Sequence, residues 1–175
     1  MFKRSALAVP ALLAALFVTG STSHARADDA EAPHGDSAQE KKAVKESMAT
    51  IAKALASAKS ACGNKKLTVE VDWKAYDKFV EKFAKDSDRT KPNIYGLTGD
   101  LVSEGLDSLK ESCSDADYKK AAATLTTWKA TPKYVKDTSS SKAQTFKRTG
   151  STMTVTFHPG TSTGGGSLDL VRAAL

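Results

Sequence analysis

The chain has 175 residues, of which 26 are Lys or Arg and 20 are Asp or Glu, so its formal net charge at pH 7 is +6. A chain of this length can bury roughly 70 % of its unfolded surface around one core, so it needs no metal to fold. Its basic residues are mostly lysines spread along the chain, without arginine-rich clusters interleaved with aromatic residues. A protein of this composition is therefore not expected to bind nucleic acids specifically.

Residues 1–27 have the three parts of a secretory signal peptide. Residues 1–4 are positively charged, residues 6–20 are apolar and uncharged, and Ala25 and Ala27 supply small residues for cleavage. The apolar run is too short for a transmembrane helix of roughly 20 residues. We therefore expect export to the periplasm or the outside of the cell. Cleavage after Ala27 removes three basic residues and no acidic one, which lowers the net charge from +6 to +3.

Residues 28–36 are acidic, rich in helix breakers and poor in large apolar residues, which predicts a disordered tail. The single domain is then expected to span residues 37–175. His34 and the neighbouring carboxylates lack surrounding structure to fix them, so the sequence predicts no metal site.

A long helix begins the predicted domain. Ser37 and Glu40 have the spacing of a capping box, and Gly63 is suited to a left-handed C-cap. The helix has an apolar stripe with helical spacing, formed by Val44, Met48, Ile51, Leu55, Ala58 and Cys62. Residues 67–73 then alternate between apolar and polar, which predicts a half-buried strand.

The two cysteines each end the apolar stripe of a predicted helix. Cys113 follows Val102, Leu106 and Leu109 at spacings of four and three. In an exported protein such a pair favours an intramolecular disulfide between Cys62 and Cys113, although an intermolecular bond uses the same residues. The wide spacing argues against a redox-active pair, which usually has the form C-x-x-C.

The middle of the chain predicts three more helices. Asp72 can cap a helix that runs to about residue 85, and a polar loop over residues 86–93 includes a proline. A third helix is expected over residues 98–113, and Ser114 with Asp117 signals a short fourth one. Residues 124–130 favour a strand because they are rich in β-branched residues, but the fourth helix could also extend into them.

The C-terminal part contains the clearest hairpin. Residues 144–148 and 151–158 flank Thr149-Gly150, and residues 152–157 alternate strictly between Thr and apolar side chains. A glycine-rich loop over residues 159–166 precedes a last helix capped by Ser167. The fold class expected is α+β, a small antiparallel sheet of about four strands with helices packed on it and one disulfide.

Three sets of residues could carry chemistry. His158 is a candidate catalytic base, although no G-x-S-x-G elbow accompanies it. A candidate anion nest is formed by Gly164, Gly165, Gly166 and Ser167 before the last helix, where a flexible connector fits equally well. A candidate sugar-binding cleft is formed by Asp72, Trp73 and Tyr76, which also satisfy the rules for a helix cap followed by core aromatics.

These observations favour a small exported domain that binds or interacts without catalysis and without a cofactor. An anionic envelope polymer or another exported protein is the expected partner, since dispersed lysines permit loose affinity for polyanions. Two alternatives stay open: a small hydrolase that uses His158 with a nearby carboxylate, and a structural envelope protein.

Overall fold

A computed structural model describes residues 34–133, 144–159 and 167–175 of the chain. These residues belong to one compact unit that extends over Glu31–Leu175. The expected signal peptide, residues 28–33 of the expected tail and Gly164, Gly165 and Gly166 lie outside the described residues. None of the helices in the described ranges has both the length and the apolarity needed to cross a membrane.

Five helices and four strands make up the described fold. The helices are α1 (Ala38–Cys62), α2 (Trp73–Asp86), α3 (Lys91–Ser112), α4 (Ala116–Ala122) and α5 (Ser167–Ala174). The strands are β1 (Thr68–Val71), β2 (Thr127–Pro132), β3 (Gln144–Thr149) and β4 (Thr152–Phe157). The α+β class, the four strands and the C-terminal hairpin are therefore confirmed. Residues 124–130 divide between the turn after α4 and the first part of β2.

Both ends of α1 follow from local chemistry. The Ser37 hydroxyl accepts the amide of Glu40 at 3.2 Å, and Gly63 has a positive φ of 66° that closes the helix. The Glu40 carboxylate accepts the amide of Asp36 at 2.7 Å rather than that of Ser37. Met48 is 53 % exposed, so it does not belong to the buried stripe predicted for this helix.

The third helix starts seven residues earlier than the sequence predicted. Pro92 does not lie in the expected loop over residues 86–93 but in the first turn of α3, where its missing N–H has no helical partner to lose. Further along α3, Gly99 lies against Ser47 of α1. A Cβ built on Gly99 would lie 2.8 Å from the Ser47 Cα, so the two helices touch at their backbones.

The sheet has the strand order β1-β2-β4-β3 and is mixed. The β3–β4 pair is antiparallel, as the hairpin requires, but β1–β2 and β2–β4 are parallel. The expectation of an antiparallel sheet is therefore wrong for two of the three pairings. Three helices lie between β1 and β2, and they provide the long crossover that this parallel pair requires.

One face of the sheet packs against the helices and forms the core with them. Trp128 and Ala130 of β2 and the three apolar residues of β4 are buried on this face. A Cβ on Gly105 of α3 would lie 3.0 Å from the Trp128 ring, which shows how closely the helix approaches. The disulfide between Cys62 and Cys113 joins the ends of α1 and α3, as predicted, with a Cα–Cα distance of 5.2 Å.

Candidate binding surface

His158, the candidate catalytic residue, is sealed inside the protein. It is 1 % exposed and follows β4, with its ring edge-on to Phe79 and Phe83 at centroid distances of 5.5 and 4.9 Å. Burial lowers its pKa below the ordinary value of 6.5, because the apolar surroundings disfavour the charged imidazolium. A substrate cannot reach this ring in the folded state, so the geometry does not favour the hydrolase alternative.

The residues of the candidate sugar-binding cleft have structural contacts within the protein. Asp72 accepts the amide of Ala75 at 3.0 Å and caps α2. Tyr76 is fully buried, its hydroxyl donates to the Ile94 carbonyl at 3.4 Å, and burial raises its pKa above the ordinary range. Trp73 is half-buried with its ring against Tyr76. These positions agree with a helix cap followed by core aromatics.

Ser167, the described end of the candidate anion nest, lies in acidic surroundings. Its hydroxyl accepts from Ser108 at 3.0 Å and donates to the Glu104 carboxylate at 3.3 Å. It borders a groove of about 580 Å³ along α3, whose acidic lining residues are Asp100, Glu104, Asp107 and Glu111. Four carboxylates would repel a phosphate, so this arrangement does not favour an anion at Ser167.

His34 has fixed neighbours, although the sequence placed it in a disordered tail. Its Nδ1 lies 2.9 Å from Asp77 Oδ2, and its ring stacks over Trp73 at 6.0 Å. The Tyr95 hydroxyl donates to the other oxygen of Asp77 at 2.7 Å, and burial raises the pKa of Tyr95. These contacts join the start of the domain to α2 and α3. No local pattern in the sequence indicates them, because the partners lie 39 residues or more from His34.

The described ranges hold no group of three or more His, Cys, Asp or Glu side chains that could bind a metal ion.

The sheet face away from the helices is an ordered array of polar side chains. The pairing register of the four strands aligns their outward residues in three rows. The first row is Thr68, Thr127, Thr152 and Thr149; the second is Glu70, Lys129, Thr154 and Lys147; the third is Thr131, Thr156 and Thr145. We call these eleven side chains the threonine face. Eight of them are threonines.

The threonine face is open to solvent. None of its eleven residues is buried, and those on the outer strands β1 and β3 are exposed. Of the eight threonines of this face, Thr68 is the one whose hydroxyl has a hydrogen bond to another described residue; it donates to the Thr126 carbonyl at 3.0 Å. The other seven threonine hydroxyls therefore remain available as donors and acceptors for a ligand.

The charge of this face is positive. Lys129 and Lys147 lie in its middle row, and Lys133 is exposed immediately after β2. Glu70, beside Lys129, is the one carboxylate in the three rows. The sequence indicated the Thr alternation of residues 152–157, but it gave no sign that threonines of all four strands would align, since alignment depends on register.

Comparison of the chain with protein-family models, curated proteins and solved structures found no significant match.

Proposed function

We propose that this chain is an exported, non-catalytic binding or interaction domain whose partner is an anionic envelope polymer or another exported protein. The observation that carries the proposal is the threonine face, which, within the ranges that the structure describes, presents seven hydroxyls without protein partners and contains no buried residue. An open face of this kind is suited to contact with a large partner, whereas enzymes commonly enclose their reacting groups.

The absence of access to His158 supports the non-catalytic part of the proposal. A general base must come within hydrogen-bond reach of the proton that it removes, and a ring that is 1 % exposed between two phenyl groups cannot do so.

Export is supported by the sequence of residues 1–27 and by the disulfide. Disulfides form and persist in oxidising compartments and are rare where thiols are kept reduced. The Cys62–Cys113 bond lies at the junction of the two longest helices and so belongs to the core of the fold.

Export is tested by expressing the full chain in a Gram-negative host and measuring the intact mass of the protein in each cell fraction. We expect a chain that begins at Asp28 and contains an oxidised cysteine pair, in the periplasm or the medium. The Ala27→Glu variant is the control, since it should retain the leader. A full-length, reduced protein in the cytosol would contradict export.

Catalysis is tested with ester, amide and glycoside substrates on the purified mature chain. We expect no turnover that differs between the wild type and His158→Leu. Turnover that disappears in a folded His158→Leu variant would refute the non-catalytic assignment. Retention of the folded wild type on sedimented envelope material, compared with a heat-denatured sample of the same chain, tests binding directly.

A further inference from the structure

We propose that the threonine face, together with Lys133, binds an extended anionic polysaccharide. This inference rests on the proposed function and names its ligand class. The charge of the face, its dimensions and the chemical groups that it presents all favour this ligand class.

The charge of the face selects an anionic partner. Lys129, Lys133 and Lys147 are exposed, and no ion pair involving them occurs in the part of the chain that the structure describes. Glu70 offsets one of the three positive charges, so the surface retains an excess of ammonium groups. Such an excess attracts polyanions and repels basic proteins.

The dimensions of the face select an extended ligand. Lys129 on β2 and Lys147 on β3 are separated by β4, which places their backbones about 10 Å apart, or two inter-strand spacings. Lys133 lies four residues beyond Lys129, about 13 Å along the strand direction. A single small anion cannot contact all three, whereas a chain with repeated negative charges can.

The hydroxyl groups favour a polysaccharide over a nucleic acid. Single-stranded nucleic acids are usually bound through aromatic platforms on which bases stack, and none of the eleven residues of the face is aromatic. Arg148, the arginine of β3, faces the helices and donates to the carbonyl of Leu175 at 2.8 Å. Threonine hydroxyls can donate to and accept from sugar hydroxyls, and they lie on both sides of the lysines.

The test measures binding of the oxidised mature chain to alginate and heparin by titration calorimetry near physiological ionic strength. Neutral dextran and a DNA oligonucleotide are the comparison ligands. The key variant is Lys129→Ala/Lys133→Ala/Lys147→Ala. Its matched control is Lys53→Ala/Lys119→Ala/Lys120→Ala, which removes the same charge from exposed positions on α1 and α4.

We expect the wild type to bind an anionic polysaccharide, to bind DNA more weakly, and not to bind dextran. Each exposed charge contact that is lost should weaken binding about two- to fivefold, so the sheet variant should lose about tenfold or more. The control should stay close to the wild type. A further variant, Thr152→Val/Thr154→Val/Thr156→Val, keeps the strand-forming shape without the hydroxyls and should also bind several-fold more weakly.

Equal losses in the sheet variant and its control would overturn the site, because binding would then follow net charge alone. Tighter binding to DNA, or full affinity in the threonine variant, would overturn the ligand class. In these cases the proposed binding function survives. Failure to bind any anionic polysaccharide, with retention on envelope material, would reject this inference and leave the proposed function intact.

Discussion

Because α1 and α3 are in close contact at Gly99, we predict that Gly99→Ala lowers the free energy of unfolding. The new methyl group would lie 2.8 Å from the Ser47 Cα and 3.0 Å from its Cβ and Oγ. The nearest of these atoms is backbone, so no side-chain rotation relieves the clash and the helices must separate. The Ser47 side chain is itself fixed by a hydrogen bond, since its hydroxyl donates to the Tyr95 carbonyl at 2.7 Å.

Two opposing effects set the magnitude. Replacing Gly by Ala inside a helix stabilises it by about 1 kcal/mol, while overpacking a tight interface costs about 1–3 kcal/mol. Gly96 provides the matched control, because it lies on the same helix and a Cβ built on it has no atom within 4 Å. We therefore expect Gly99→Ala to have a lower free energy of unfolding than Gly96→Ala by about 1–3 kcal/mol.

The measurement is urea denaturation of both oxidised variants, followed by circular dichroism. With slopes of about 1–3 kcal/mol per molar urea, the two midpoints should differ by about 1 M. Gly96→Ala should be at least as stable as the wild type. Equal midpoints for the two variants would refute the close packing of α1 on α3.

Three further predictions concern stability. Replacing Cys62 and Cys113 together by alanine should lower the free energy of unfolding by about 4 kcal/mol on the chain-entropy model, measured by urea midpoints with and without reductant. Burial lowers the pKa of His158, so below about pH 6.5 the unfolded chain gains a proton first. Stability should then fall with decreasing pH, by up to about 1.4 kcal/mol per pH unit, and a flatter profile is expected for His158→Leu. Asp72→Ala should cost about 1 kcal/mol by loss of the cap to Ala75 while Asp72→Asn keeps most of it, and equal melting temperatures would contradict this role.

Much of the fold was predictable because its determinants are local. Ser37 and Gly63 mark the ends of α1 through their own side-chain and backbone preferences, and both were identified. The Thr149-Gly150 turn identified the hairpin in the same way. The disulfide was predictable because each cysteine ends an apolar stripe, so packing the two stripes brings the sulfurs together.

The missed features depend on contacts between distant parts of the chain. The start of α3 was misplaced because Pro92 is compatible with a first helical turn as well as with a loop, and only packing decides between them. The parallel pairing of β1 with β2 depends on the path of the crossover between them, which the sequences of the two strands do not indicate. His34 contacts Asp77 and Trp73, which both lie on α2 and are distant from it in the sequence.

The candidate surface shows the same limit. Alternation predicted that Thr152, Thr154 and Thr156 share one side of a strand, but the rows across four strands require the register of all three pairings. Conversely, Asp72 and Tyr76 had a structural interpretation in the sequence, and the structure agrees with it.

The position of the disulfide also affects the order in which the chain folds. Thr68 pairs with Thr127 across 59 residues of chain, but β1 begins six residues after Cys62 and β2 begins fourteen residues after Cys113. Once the sulfur atoms are joined, the route between the two strands shortens to about twenty residues, which lowers the entropic cost of closing that loop by about 1 kcal/mol. An oxidised chain should therefore refold severalfold faster than a reduced one, and early oxidation would guide the crossover into its parallel path.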